Sequence, residues 1–415
     1  MDSLPLFKNN KERKFFFLTI VSIFIFNLFL EFLNYQTFIT NEIYQTKGQI
    51  QNIYLKKEFQ ILKLKTKDFT FFTQTPLSFK PQIYQNANIY LLTTNIDFIS
   101  YLKNFYSKNI SIELFPIMIS NKLKIKENIE SQHISQHISS LYNALFLSAP
   151  LTLKLRETAS KLGISHLIAI SGYHLGVLSF ILYLIIHFIY SKIHSKYYPY
   201  RNKRFDIMVV VSVLLYIYMI FIDLPASLLR AFVMFIFALY LLRSNIKLLS
   251  FETLLLITVF IIALFPKLLF SLSLWFSITG VFYIFLFIKY FKNLHKAIQF
   301  VLFNFWIYMT INPITHYFFA TSSLEQLYSP ILTMLFSIFY PLSMFLHIID
   351  IGNLFDKYLE TIVNLNINSI ELFTPVWFFV FYVIVSLLAV LRKEFFVLLN
   401  ILMILFNIWL FYFIF

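Results

Sequence analysis

The chain has 415 residues, 59% hydrophobic and 20% aromatic, with mean hydropathy +0.73, which excludes an ordinary soluble domain and puts most of the chain in lipid. Its formal charge of +14 lies largely outside the apolar runs and suits an anionic partner, either lipid headgroups or nucleic acid. The absence of cysteine excludes disulfides, thiol catalysis and cysteine-ligated zinc or iron–sulfur centres.

Lys8, Lys11, Arg13 and Lys14 precede an apolar run from Phe15 to Leu33. That run has no small-residue cleavage site, so it reads as a retained anchor with a cytoplasmic N-terminus. Residues 41–130 form a polar stretch with a net charge of +5, basic through lysine alone. Alternation at Ile50, Asn52 and Tyr54, then at Phe59, Ile61, Lys63 and Lys65, predicts short strands in a small basic β-barrel or β-sandwich outside the membrane. Past 131, Ile134, Ile138, Leu141 and Leu145 predict an amphipathic helix.

Apolar spans follow at 166–190, 207–222, 227–242, 251–270, 273–291, 297–311, 329–349, 375–391 and 395–414. Some fall short of the ~20 residues needed to cross the hydrocarbon core, which predicts re-entrant or interfacial segments. Basic loops at Lys192, Lys196, Arg201, Lys203 and Arg204, at Arg243 and Lys247, and at Lys289, Lys292 and Lys296 all fall on the cytoplasmic side, a consistent alternation through the first six spans. Arg392 and Lys393 break the alternation, so the count of the last spans is off by one. The fold class is a polytopic α-helical integral membrane protein of about 8–10 spans with a small extracytoplasmic β domain.

Of the six glycines in the chain, Gly163, Gly172 and Gly176 fall in the run GISHLIAISGYHLG at 163–176, which also holds His166, Ser171 and His174. Polar residues at membrane depth are expensive, so this run is the first place to look for function. On one unbroken helix the two histidines would lie two turns apart, about 12 Å, and could not share a metal. They either fix neighbouring helices by hydrogen bonds or line a polar path together with Ser171. The glycines then allow close helix approach or an unwound segment. Next, PASLLRAFVM at 225–234 predicts a tight turn, a Ser227 cap and Arg230 one turn inside the outer boundary. Arg230 either snorkels or pairs with Asp223, or it faces a cavity that passes phosphate. In SLWFSITG at 273–280, Ser277 is one of several hydroxyls that could simply bond back to helix carbonyls. His133 and His137, at i and i+4, lack a third ligand and read as solvated surface. Asn312, His316 and Glu325 fall in a polar connection. No Walker loop, dinucleotide fingerprint or metallohydrolase cluster is present, so energy for directional transport would come from elsewhere, and no cofactor is implied.

Together, the runs at 163–176, 225–234 and 273–280 resemble, in order, three signatures of the ComEC competence proteins, inner-membrane channels for DNA uptake in natural transformation. Ser273 stands where that family usually has glycine. Ser148-Ala149 stands where it commonly has Gly-Asp, and Ser329-Pro330 where it often has an asparagine before proline. Longer members carry a metallo-β-lactamase-like domain after the helices, and this chain stops at Phe415 without it.

The resemblance implies a three-part chain: an anchor at 1–40, an OB-like domain at 41–130 and a channel domain at 131–415. It implies import of single-stranded DNA, a lipid environment, and work alongside a DNA receptor, a separate nuclease and an ATP-driven translocase, with a homo-oligomer possible. Gly163, His166, Ser171, Gly172, His174, Gly176 and Ser277 would line the path or set helix geometry, and Arg230 would meet phosphate. Lys56, Lys57, Lys63, Lys65 and Lys67 would bind DNA on the OB-like domain. Tyr54, Phe59, Phe69, Phe71, Phe72 and Tyr84 would stack on bases, or else fill the barrel core. Two other readings stay open: a transporter of another anionic substrate such as a lipid or glycan precursor, and a membrane-embedded hydrolase built on His166, Ser171 and His174.

Overall fold

The computed structural model describes residues 9–116, 121–243 and 250–413. Lys247 lies outside them, as do the side chains of Ser227 and Arg243. The chain divides into two compact units. One comprises Phe7–Lys124 and Leu256–Leu274; the other comprises Met1–Leu6, Ile125–Leu255 and Trp275–Phe415.

In the first unit, α1 (Asn10–Ile39) leads into β1 (Ile43–Leu55), β2 (Phe59–Lys65), β3 (Thr70–Pro76), β4 (Asn86–Leu92), α2 (Phe98–Leu102), β5 (Phe105–Tyr106) and β6 (Asn109–Leu114). The strand order is β5-β3-β2-β1-β4-β6. β3 and β5 run parallel, and the other pairs are antiparallel. β5 and β6 are two ends of one segment. Ser107 N–H donates to the Phe72 carbonyl at 2.9 Å, and Leu92 N–H donates to the Lys108 carbonyl at 3.0 Å, so the segment ties both outer strands and the ring closes.

Period-2 alternation sends Leu62, Leu64 and Phe71 inward, with Ile50, Ala87, Ile89 and Leu91, all fully buried. Phe38, from the end of α1, plugs this core among the rings of Phe69, Tyr101 and Phe105 at 5.1 to 5.6 Å. A register shift between Ile50 and Asn52 is a β-bulge that turns Asn52 and Tyr54 outward while Ile50 stays in. The simple alternation expected for β1 is therefore interrupted.

The second unit is helical. It contains α3 (Asn121–Ser131) from Ile125 onward, α4 (Gln136–Leu147), α5 (Leu153–Lys161), α6 (Ser165–Ile168), α7 (Gly172–Tyr197), α8 (Lys203–Phe221), α9 (Ala226–Arg243) and the start of α10 (Phe251–Leu264). After α10 the chain passes through a short 3-10 turn (Pro266–Phe270) that belongs to the first unit. Then come α11 (Leu272–Phe291), α12 (Lys296–Phe318), α13 (Ser329–Ile348), α14 (Asp356–Val363), α15 (Val376–Leu388) and α16 (Lys393–Tyr412).

Among the described residues seven helices are long and apolar enough to cross a membrane: α1, α7, α8, α11, α12, α13 with the turn before it, and α16. This is the pattern of a multi-pass membrane protein. The apolar parts of α9, α10 and α15 are 13 or 14 residues long, about 20 Å at 1.5 Å per residue and short of a ~30 Å core.

Several expectations are corrected. The first long span starts at Gly172, not at 166. Ile134 lies outside α4 and is fully exposed, whereas Ile138, Leu141 and Leu145 are buried as the pattern requires. Asn312 and His316 are buried on α12 rather than in a connection. His133 is not solvated, because its imidazole is wholly buried.

Candidate functional site

The local chain path follows from Gly163. It takes φ +66°, where a side chain would be strained. Ile164 N–H reaches back to the Ala159 carbonyl at 2.9 Å, which ends α5 in a Schellman-type cap. One turn, α6, follows, and the backbone then runs extended through Ala169 and Ser171 before α7 begins. Ser171 N–H donates to His174 Nδ1 at 3.2 Å, and the Ser171 hydroxyl lies 3.2 Å from the same nitrogen. A histidine thus fills the place a capping box usually gives to glutamate or glutamine.

Because Nδ1 accepts, the neutral ring carries its proton on Nε2. That nitrogen is buried and makes no hydrogen bond of normal geometry. The ring itself is held edge-on by Tyr340 at 4.6 Å and Phe336 at 5.6 Å, both on α13. The start of α13 is pinned nearby, since Ser329 Oγ donates to the Gly163 carbonyl at 3.0 Å.

These elements border a partly open cavity of about 130 Å³ lined by His166, Leu167, Ser171, Tyr173, His174 and Thr333, of which His166 and Tyr173 are exposed and His174 is buried. The break between α6 and α7 is what brings His166 and His174 to one space, where an unbroken helix would have parted them. The cavity has room for a few waters or one small group, and not for a nucleic-acid strand to pass.

Arg230 is 5% exposed on α9 and Ser277 is half-buried on α11; neither lines the cavity. In the barrel unit, Lys63 and Lys65 stand on the outer face of β2, and Lys56, Lys57 and Lys67 are exposed in the flanking turns. Lys63 Nζ sits 6.0 Å over the Phe72 ring, and Tyr54 lies 6.4 Å from that ring. Burial and, secondarily, the Lys65 ammonium hold the Lys63 pKa below the usual lysine value. Phe69 and Phe71 are core residues and present no face to a ligand. Tyr84 is covered by Lys122 at 4.1 Å.

A sequence model described as Competence protein matches residues 149–414, well over half of the chain and the whole of this cavity. The chain belongs to the competence protein family. No curated protein and no solved structure matches it. Family membership points to a role in DNA uptake for competence.

The competence-family run carries three glycines with different jobs. A Cβ on Gly172 would sit 3.4 Å from Ala231 Cβ on α9, whereas one on Gly176 would meet nothing within 4 Å. Close helix approach therefore belongs to Gly172, and Gly176 does not share it. In the purified full chain, Gly176→Ala is expected to hold or raise the melting temperature, by up to about 1 kcal/mol of helix propensity. Gly163→Ala lowers it by about 1 to 2 kcal/mol for the left-handed backbone. Equal responses at both positions would refute this division.

Proposed function

We propose that this protein forms, or helps form, the inner-membrane channel that imports single-stranded DNA during natural transformation. The reading rests above all on the bringing together of His166, Ser171 and His174 around one pocket at the α6–α7 break, inside the region that matches the competence family. His166, Ser171 and His174 line the path there, and Arg230 meets phosphate. At its present size the cavity passes no DNA strand, so conduction requires the α13 wall at Thr333, with Phe336 and Tyr340 that pack on His174, to move.

The N-terminus is cytoplasmic and the barrel extracytoplasmic. With β5 and β6 counted as one strand, the ring order and the parallel β3–β5 pair match those of an OB-fold. Such barrels bind single strands on the face of strands 2 and 3 and on the loop between strands 1 and 2. Here that face carries Lys63, Lys65 and Phe72, with Tyr54 beside it on β1, and that loop carries Lys56 and Lys57. Aromatic stacking and lysine charge suit a single strand of any sequence. A DNA receptor, a nuclease and an ATP-driven translocase would act beside the channel.

A second reading is favoured by one contact. Ser171 Oγ within 3.2 Å of a histidine nitrogen is the geometry a hydrolase nucleophile needs. However, the same Nδ1 also takes the Ser171 backbone N–H, which is a capping arrangement. The test follows fluorescent double-stranded DNA in cells with the wild-type protein, without it, and with His174→Ala or Ser171→Asn at matched protein levels. The channel reading expects label to stop outside the inner membrane without the protein and with His174→Ala. Ser171→Asn, which caps a helix equally well but cannot act as a nucleophile, should keep import. Loss of import with Ser171→Asn would favour the hydrolase. Import unchanged by deletion would refute the channel and bring forward a transporter of another anion.

A further inference from the structure

A second buried polar cluster lies away from the cavity, in the helical unit. His133, in the turn between α3 and α4, has Nδ1 at 2.9 and 3.0 Å from the two carboxylate oxygens of Asp356 at the start of α14. Its Nε2 lies 3.0 Å from His347 Nε2 near the end of α13. His347 Nδ1 in turn lies 2.7 Å from the Ser343 carbonyl.

Counting protons over this chain decides its state. A carbonyl oxygen only accepts, so His347 Nδ1 carries a hydrogen and donates it. An ionised carboxylate also only accepts, so His133 Nδ1 carries one too. Two neutral rings then have no hydrogen left for the contact between them. Bare lone pairs would face each other at 3.0 Å, so the contact is a hydrogen bond only when one further proton sits in it. Placing a proton on Asp356 and turning the donors round gives the same total. Holding that proton, the cluster is neutral. Without it, the Asp356 carboxylate leaves a net negative charge at the partly exposed end and a lone-pair clash is buried between the two rings, which is costly.

We propose that Asp356, His133 and His347 form a proton-held clasp that fixes the α3–α4 turn to the end of α13 and the start of α14, and that opens when the proton leaves as pH rises. The surroundings are built for this. Tyr142 of α4 stacks on His133 at 4.7 Å and lies 4.3 Å from His347. Burial and the Asp356 carboxylate raise its pKa, so it stays a neutral phenol. Gln132 donates to Asp350 Oδ1 and to the His347 carbonyl, both at 3.2 Å, and accepts the Gly352 N–H at 2.9 Å. Glu130 on α3 is engaged by Asn143 and Lys126. A Cβ on Gly352 would lie 2.8 Å from His347 Nε2 and against Gln132 Oε1, so only glycine lets the backbone pass this close. Among the described residues no group of three or more metal-binding side chains is placed to hold an ion, which favours the proton over a metal.

The clasp stands whether or not the chain carries DNA. Its sign is fixed: the contact needs the extra proton, so it is present at low pH and lost as pH rises. Hydrogen exchange of the full chain in detergent reads it directly, at about pH 6 and pH 9, with rates corrected for intrinsic exchange and referenced to peptides of β2 and β3. In the wild type, protection over residues 131–137 and 350–356 is expected to fall roughly tenfold or more, as one charge-assisted hydrogen bond is lost. His347→Gln supplies an amide donor to His133 Nε2 without a titrating proton, so its protection should be equal at both pH values. Wild-type protection that does not change, or a His347→Gln variant that still titrates like the wild type, overturns the proposal. So does protection at pH 9 that rises with zinc and falls with chelator.

Discussion

Replacing Phe71 by alanine is expected to cost the barrel unit about 3 to 5 kcal/mol, while Phe72→Ala costs less than about 1 kcal/mol. The two residues are neighbours on β3 and face opposite ways. Phe71 pairs with Leu64 across the sheet and stacks on Phe105 at 6.0 Å in a core without solvent contact. Phe72 pairs with Lys63 on the outer face. Removing the Phe71 ring leaves a void that Phe38, at the end of an anchored helix, cannot collapse to fill. Against a total stability of about 5 to 15 kcal/mol, that loss removes a large share of the unit's stability. Urea-dependent proteolysis of the barrel in the full chain measures both variants, and equal effects would contradict the face assignment. On the proposed function Phe72→Ala instead weakens single-strand binding, by about 1 to 3 kcal/mol if a base stacks there.

Asn407→Leu is expected to cost about 2 kcal/mol, the middle of the 1 to 3 kcal/mol range for buried groups left unpaired. The reason lies in α12. Pro313 has no N–H, so the Met309 carbonyl loses its ordinary helix partner. Asn407 on α16 replaces that donor at 3.0 Å, bonds the Met403 carbonyl at 2.8 Å, and accepts from Asn312 Nδ2 at 2.7 Å. Leucine keeps the volume and leaves both the Met309 carbonyl and the Asn312 amide unpaired. Pro313→Ala in the Asn407→Leu background returns an N–H to Met309 and should recover about half of the loss. Melting of the purified variants checks this. No recovery would mean that Asn407 does not serve the proline gap.

The features legible in the sequence were those written in local periodicity. Alternation along β2, and the apolar runs of α7, α8, α11 and α16, followed from spacing alone. The bulge after Ile50 did not, because it depends on how β1 pairs with β2. The break between α6 and α7 had a weak signal in Ser171-Gly172, a serine cap followed by a flexible residue, which an apolar run through Leu167, Ile168 and Ile170 outweighed. His133 was unreadable for a different reason. Its partners Asp356 and His347 lie 223 and 214 residues further on, and nothing near His133 announces them. Gly352 went unnoticed for the same reason, since the atoms that exclude a side chain there come from Gln132 and His347.

The barrel unit is not continuous in sequence, and this sets a schedule for its assembly. Asn27 on α1 donates to the Ala263 carbonyl across 236 residues, and Glu31 pairs with Lys267 at 2.7 Å. At about 5 to 20 residues per second of synthesis, roughly ten to fifty seconds separate the emergence of these partners. During that interval the anchor helix has already left the ribosome with Asn27 and Glu31 one turn apart on one face and neither partner yet made. Newly made chains therefore pass through a stage in which the barrel can close its ring but cannot yet seat the Pro266–Phe270 turn, and this is when an insertion chaperone or a quality-control protease would find its target.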